Sequence, residues 1–320
     1  MATESPIPEP PSSYKPRYID IGINLTDPVY SGIYHGTQRH PADLHAVVAR
    51  AKEAGCTKLI VTGSDLAESK KAVELAKEYP GTIYTTIGVH PCSCTQFETH
   101  DPSPEDLLSQ LKKLAIEAKS SGHCVAFGEI GLDYDRLTLC PKKTQLKYFT
   151  AQLELATELQ LPLFLHSRAA HADFLTILNK YSDRLPKRGV VHSFTGSMEE
   201  MQELVQRGWH IGVNGCSLKT EDNLKVVKEI PLERLMLETD GPWCEIRASH
   251  AGSKYLKGFE EVGRWVKKER WAEGNCVKGR NEPCVIGKVG VVVAGVRGVE
   301  LREVTEMAWG NTGRVFGIEG

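Results

Sequence analysis

Glu129, His166, His192 and Asp240 are the residues of this chain whose types and spacing best support chemistry. Each closes an apolar run. Cys124-Val125-Ala126-Phe127 leads through Gly128 into Glu129, Leu163-Phe164-Leu165 into His166, Val190-Val191 into His192, and Leu235-Met236-Leu237 into Glu238-Thr239-Asp240. A carboxylate or imidazole ending a core-facing row is costly without a partner, and a divalent cation pairs several at once. If the four runs are neighbouring parallel strands, two carboxylates and two imidazoles converge on one point, as in the metal site of a barrel enzyme. Mixed nitrogen and oxygen donors suit Zn²⁺, Mn²⁺ or Fe²⁺, and a site richer in carboxylate and water tolerates Mg²⁺, with one or two ions per site. Taken singly, each residue has an ordinary reading, a histidine bonded to backbone or a carboxylate capping the next helix. Four at corresponding ends of strands four, five, six and eight are harder to explain so. The contrast with other histidines is clear: His35, His40, His100, His171 and His250 fall in loops or helices, while His123 and His210 open strands, at the wrong end of a barrel.

Further residues attach to this set. His90, in Ile87-Gly88-Val89-His90-Pro91, ends the third strand, and Pro91 biases it towards an extended conformation at the pocket mouth. It is assigned a place beside the metal or on a substrate phosphate, with a structural histidine as the alternative. Asp20, Gly22 and Asn24 share one face of the first strand. Asn24, Asp133, Ser193, Thr195 and Asn214 are candidates to line the mouth through hydroxyl, carboxylate or carboxamide contacts, and each also suits a turn or cap. Cys92-Ser93-Cys94 has no second cysteine pair at finger-like spacing and is not read as a metal motif.

The elements that must position these side chains alternate regularly. Strands are predicted at 18–24, 57–62 and 82–89, then ending at Glu129, His166 and His192, over 209–214, and ending at Asp240. Helices are predicted at 43–54, 66–78, 104–119, 142–159, around 171–181, at 198–206 and briefly after Thr220. Eight apolar strands alternating with helices predict a TIM-type (β/α)8 barrel, with helices covering a parallel sheet. Residues 1–16, with Pro6, Pro8, Pro10, Pro11 and Pro16, read as a disordered lead-in, and residues 17–320 as a single domain. Beyond Asp240 an irregular segment to about Arg280 carries Trp243, Trp265 and Trp271 among basic residues, followed by two final helices.

Composition narrows the classes. The chain is 41% hydrophobic and 25% charged over 320 residues, enough for one large core. Its net charge of −2 means that a polyanion must be held by a local basic patch or by metal. No apolar run approaches the ~18 residues of a membrane span. Nine scattered cysteines fit reduced thiols and a cytoplasmic or nuclear setting, and the chain is expected to act as a monomer.

Taken together, Asp20-Ile21-Gly22-Ile23-Asn24-Leu25-Thr26, Gly88-Val89-His90-Pro91, Gly128-Glu129-Ile130-Gly131-Leu132-Asp133, Phe164-Leu165-His166, Val191-His192-Ser193-Phe194-Thr195-Gly196, Glu238-Thr239-Asp240-Gly241-Pro242-Trp243 and Arg280-Asn281-Glu282-Pro283 give a specific pattern. From about Tyr18 to Phe316 the chain resembles the TatD-like metal-dependent deoxyribonucleases, and within them the eukaryotic branch. The resemblance implies an amidohydrolase-like barrel, Glu129, His166, His192 and Asp240 as metal ligands, and hydrolysis of DNA phosphodiester bonds, often exonucleolytic. Many relatives carry histidines where Gly22 and Asn24 stand, which implies that one of two metal positions is poorer here. On this reading Asp240 orients or deprotonates the attacking water, and His90 stabilises the charged phosphate. The basic, tryptophan-bearing segment would guide a single-stranded or frayed DNA end. A hydrolase of small-molecule or aminoacyl-ester substrates would use the same ligands, because loops set the substrate. A non-catalytic binding protein and a structural zinc site are the remaining alternatives.

Overall fold

The structure is a computed structural model in which residues 14–186 and 189–318 are described. Eight strands, β1 (Tyr18–Ile23), β2 (Cys56–Val61), β3 (Ile83–Ile87), β4 (Cys124–Asp133), β5 (Leu163–Arg168), β6 (Gly189–Val191), β7 (His210–Val213) and β8 (Leu235–Leu237), form one sheet whose spatial order is the order of the sequence. All neighbours pair in parallel. The chain beyond β8 closes the sheet on β1: Asp240 N donates to Gly22 O and Asn24 N to Gly241 O, each at 2.8 Å. The fully buried Asp20 carboxylate reinforces the seam by accepting from Thr239 N at 2.9 Å. This is the expected (β/α)8 barrel.

The interior is apolar at one end and polar at the other. Ile19 and Ile21 of β1, Ile60, Val125, Phe164, Val190 and Met236 fill the inside, and Val315, Phe316 and Ile318 of the C-terminal segment pack against them. Helices α1 (Leu44–Glu53), α2 (Leu66–Glu78), α3 (Pro104–Ser120), α4 (Lys142–Leu159), α5 (His171–Asn179), α6 (Met198–Gln206), α7 (Glu221–Glu229), α8 (Ile286–Arg297) and α9 (Leu301–Phe316) cover the outside. Their starts are set locally. Asp65 and Ser103 accept from backbone N–H groups in the first turns of α2 and α3, and Ser197 and Thr220 make capping boxes with Glu200 and Asn223. Among the described residues no helix is long and apolar enough to cross a membrane.

Three departures from the sequence reading matter for the site. First, β4 does not end at Glu129; it runs on to Asp133, with a break in register that pairs Gly128 with Phe164 and Ile130 with Leu165 and leaves Glu129 bulged between them. Second, the long segment after Asp240 docks away from the barrel mouth. Arg280 grips both Asp43 oxygens at 2.7 Å and Glu282 at 2.8 Å, Arg50 donates to Glu282 at 2.9 Å, and Trp271 donates to Asp43 while stacking on His40. Lys268 lies over the Tyr34 ring. The expected basic DNA guide is corrected in part: Arg280, Lys268 and Trp271 are engaged by the β1–α1 connection and Lys254 by Glu221, and of this segment Trp243 and Cys244 line the pocket. Third, residues 1–13 of the expected disordered lead-in lie outside the described residues, while Tyr14 hydrogen-bonds Thr305 at 2.6 Å and Glu306 at 2.9 Å on α9.

Candidate active site

The bulge in β4 is built on two glycines. Gly128 and Gly131 both have φ 151°, and a Cβ on either would lie about 2 Å from a β5 carbonyl oxygen, Phe164 O at 2.1 Å and His166 O at 1.9 Å. Only glycine tolerates that backbone and that approach. The result presses β4 onto β5 and turns the Glu129 carboxylate into the polar end of the barrel.

There Glu129 Oε1 lies 2.8 Å from His166 Nδ1, 2.5 Å from His192 Nε2 and 3.4 Å from His90 Nε2. His166 Nε2 reaches Asp133 Oδ2 at 3.3 Å. The Phe164 ring sits beneath His192, centroids 4.6 Å apart, as the floor. Donor atoms of His90, Glu129 and His166 lie within 4.8 Å of one another. One buried carboxylate shared among three imidazoles is a mixed donor set of the kind a divalent cation takes.

The electrostatics agree. Burial alone would push the Glu129 carboxyl up, but the imidazoles of His192 and His90, with hydrogen bonds from His166 and His192, hold it well below the usual carboxylate range. Burial disfavours protonated His166 and His192, yet neighbouring carboxylates outweigh it: Asp133 and Glu129 raise His166, and Glu129 and Glu238 raise His192 well above its ordinary value. Burial takes His90 the other way, down to about 4. His90 Nδ1 accepts from Cys92 N at 3.0 Å, so the neutral ring carries its proton on Nε2, facing Glu129.

Behind His192 stands Glu238, with no exposed surface. Its Oε1 accepts from Ser193 N at 2.5 Å and Asn214 Nδ2 at 3.3 Å, and its Oε2 lies 3.4 Å from His192 Nδ1, neither of those two atoms having a hydrogen-bond partner. A carboxylate behind a ligating histidine fixes which ring nitrogen carries the proton. Glu238 also explains Gly22, because a Cβ there would lie 2.5 Å from Glu238 Oε2.

The pocket above this cluster has a volume of about 600 Å³ and includes Asn24, His90, Glu129, Asp133, His166, His192, Ser193 and Asp240 in its lining. The four expected ligands thus share one pocket. Glu129, His166 and His192 are in mutual contact, whereas Asp240 is held separately, by Asn24 Nδ2 at 3.1 Å and Cys244 Sγ at 3.2 Å. Burial raises the Asp240 carboxyl to about 6, against the pull of the charge on His192.

Asn214 requires correction as a substrate-binding candidate. It has no exposed surface and lies behind the wall, donating to Ser193 Oγ at 2.9 Å and accepting from Cys216 N at 2.9 Å. Thr195 lines a smaller neighbouring cavity. Among the pocket-lining residues that sequence reasoning missed are Arg136, Arg168, Cys216 and Cys244. Arg168 Nε is buried with no partner; it stands two residues beyond His166, on the same face of the strand, a signal that was available.

The family model for TatD related DNase matches residues 19–317. The chain belongs to this family. Among curated relatives, Deoxyribonuclease Tat-D of Schizosaccharomyces pombe is 50% identical over 299 residues, covering 92% of this chain and 94% of its own. The 3'-5' ssDNA/RNA exonuclease TatD of Erwinia billingiae is 35% identical over 300 residues, covering 93% and 98%. Among solved structures, an uncharacterized amidohydrolase from Saccharomyces cerevisiae superposes with a TM-score of 0.86 at 39% identity, covering 94% of this chain and all of that one. The family, the barrel and the assignment to metal-dependent hydrolases of the deoxyribonuclease class stand as the sequence reading had them.

Proposed function

We propose that this protein hydrolyses DNA phosphodiester bonds at a strand end, with Glu129, His166, His192 and Asp240 holding a divalent cation. The observation that carries the reading is the Glu129 carboxylate shared by His166, His192 and His90 on the floor of a pocket rimmed by Arg136, Arg168 and Trp243. When bound, the cation supplies Lewis acidity towards a phosphoryl oxygen and a water. Asp240, with its carboxyl near 6 and its oxygens held by Asn24 and Cys244, takes the proton of the attacking water. Neutral His90 offers its Nε2 proton to a phosphate oxygen. Arg168 and Arg136 meet flanking phosphates as forked donors, and Trp243, 58% exposed, offers a face on which a base stacks.

The fit to Mg²⁺, Mn²⁺ or Zn²⁺ rests on the oxygen and nitrogen donors, and the exonuclease reading draws support from the Erwinia relative's name. Nine free cysteines suit work in a reducing compartment, cytoplasm or nucleus. The test is purified protein on single- and double-stranded DNA labelled at either end, with chelator, with Mg²⁺ and with Mn²⁺. Stepwise products from one labelled end that vanish with chelator and in Glu129→Ala are expected. Cleavage persisting in that variant would refute the assignment.

A further inference from the structure

Two cysteines stand together at the pocket edge, one of them the thiol that holds Asp240. Cys216 follows β7, Cys244 follows Asp240, and both line the pocket and are partly exposed. Their sulfurs lie 2.8 Å apart, and the Cys244 thiol donates to Asp240 Oδ2 at 3.2 Å. The two segments are seated tightly, since a Cβ on Gly215 would lie 1.9 Å from Cys244 O. A sulfur–sulfur bond is about 2.05 Å long, so closing it needs less than about 1 Å of movement. The molecule supplies its own contrast in Cys276 and Cys284. These also lie together beside Glu282 but are only 0% and 3% exposed and are shut under the docked segment.

We propose that Cys216 and Cys244 are a modification site for hydroperoxides, and that their disulfide switches the nuclease down by removing the thiol that holds Asp240. With hydrogen peroxide as oxidant, one thiol sulfur attacks the O–O bond and becomes a sulfenic acid, releasing one water. The second sulfur then displaces the hydroxyl, which leaves with the remaining thiol proton as a second water. Two thiols and one peroxide thus give one disulfide and two waters, the sulfurs being oxidised and the peroxide reduced. In the product, Cys244 has no S–H to donate, and Asp240 keeps Asn24 as its remaining side-chain donor. The loss of activity rests on the function proposed above; the formation of the bond does not.

The test treats the full-length protein with hydrogen peroxide, free of iron and copper, and quenches it with catalase. Trypsin releases Cys216 in residues 208–219 and Cys244 in residues 235–247, one cysteine in each. Expected are a cross-link between these two peptides with the loss of two hydrogens, and Mg²⁺-dependent cleavage lower on the order of tenfold, the scale of one hydrogen bond to a carboxylate. Dithiothreitol should restore it. Cys216→Ala, compared with its own untreated activity, should show neither the cross-link nor a reversible loss. An absent cross-link, a cross-link with unchanged turnover, or equal reversible loss in Cys216→Ala would overturn the proposal. If untreated protein fails to cut DNA, the proposed function falls while the mass measurement still decides whether this pair closes.

Discussion

Two buried clusters of charge, one at the barrel mouth and one under the docked segment, use similar carboxylates to opposite ends. Beneath the segment, Asp43 and Glu282 face Arg280 and Arg50, two anions against two fixed cations, with both Glu282 oxygens and both Asp43 oxygens taken. Arg50 Nη1 is the one side-chain nitrogen or oxygen of this quartet without a hydrogen-bond partner. At the mouth, Glu129 is shared among histidines, and His192 Nδ1 and Glu238 Oε2 face each other without a hydrogen bond. In the first cluster every carboxylate oxygen meets a fixed cation, and the cluster binds segments together. The second opens on a pocket and offers donors that can exchange protons or take a cation. Completeness, more than burial or residue type, separates the scaffold from the site.

Substitutions should divide along that line. The largest effect is expected at Asp240: Asp240→Asn should lower kcat by roughly 10²–10⁴, the range for a proton-transfer group, while the thermal midpoint barely moves. Arg280→Ala should do the reverse, destabilising the fold by about 3–5 kcal/mol because the buried Asp43 loses its bidentate cation and Glu282 keeps only Arg50, as read from urea unfolding. A smaller effect is expected at the rim, where Trp243→Ala should raise KM for single-stranded DNA by the equivalent of about 1–3 kcal/mol and leave kcat nearly unchanged. The smallest concerns the far end of the barrel. Burial, with the charges of Arg234 and Arg314, lowers His210 to about 4 from its ordinary 6.5. An unfolded chain protonates this ring as pH falls through 6.5, whereas the folded one resists until about 4, so stability is full above pH 6.5 and is lost between the two values. The loss is on the order of 2 kcal/mol, and His210→Phe should flatten that part of the stability profile.

The barrel was legible because eight apolar runs alternate in order with helical segments, and the four chemical residues were legible because each stands where such a run gives out. The bulge at Glu129 was not. Ile130 and Leu132 continue the apolar alternation past it, and the approach of Gly128 and Gly131 to β5 is a tertiary fact. Asn214 misled because a carboxamide at a strand end suits a pocket mouth as well as the wall behind it. The basic segment misled for a related reason: its cations read as a polyanion surface until Arg280 is seen meeting Asp43, 237 positions earlier in the chain. Glu238 was seen as the neighbour of Asp240, but its place behind His192 depends on the space left by Gly22, across the seam of the barrel.

The most direct test is anomalous diffraction from crystals soaked in Mn²⁺. A peak is expected about 2.0–2.3 Å from donor atoms of Glu129, His166 and His192, in the pocket that Asp240 lines. A peak instead among Cys276, Glu282 and Cys284, or none at the barrel mouth in crystals of active protein, would contradict it.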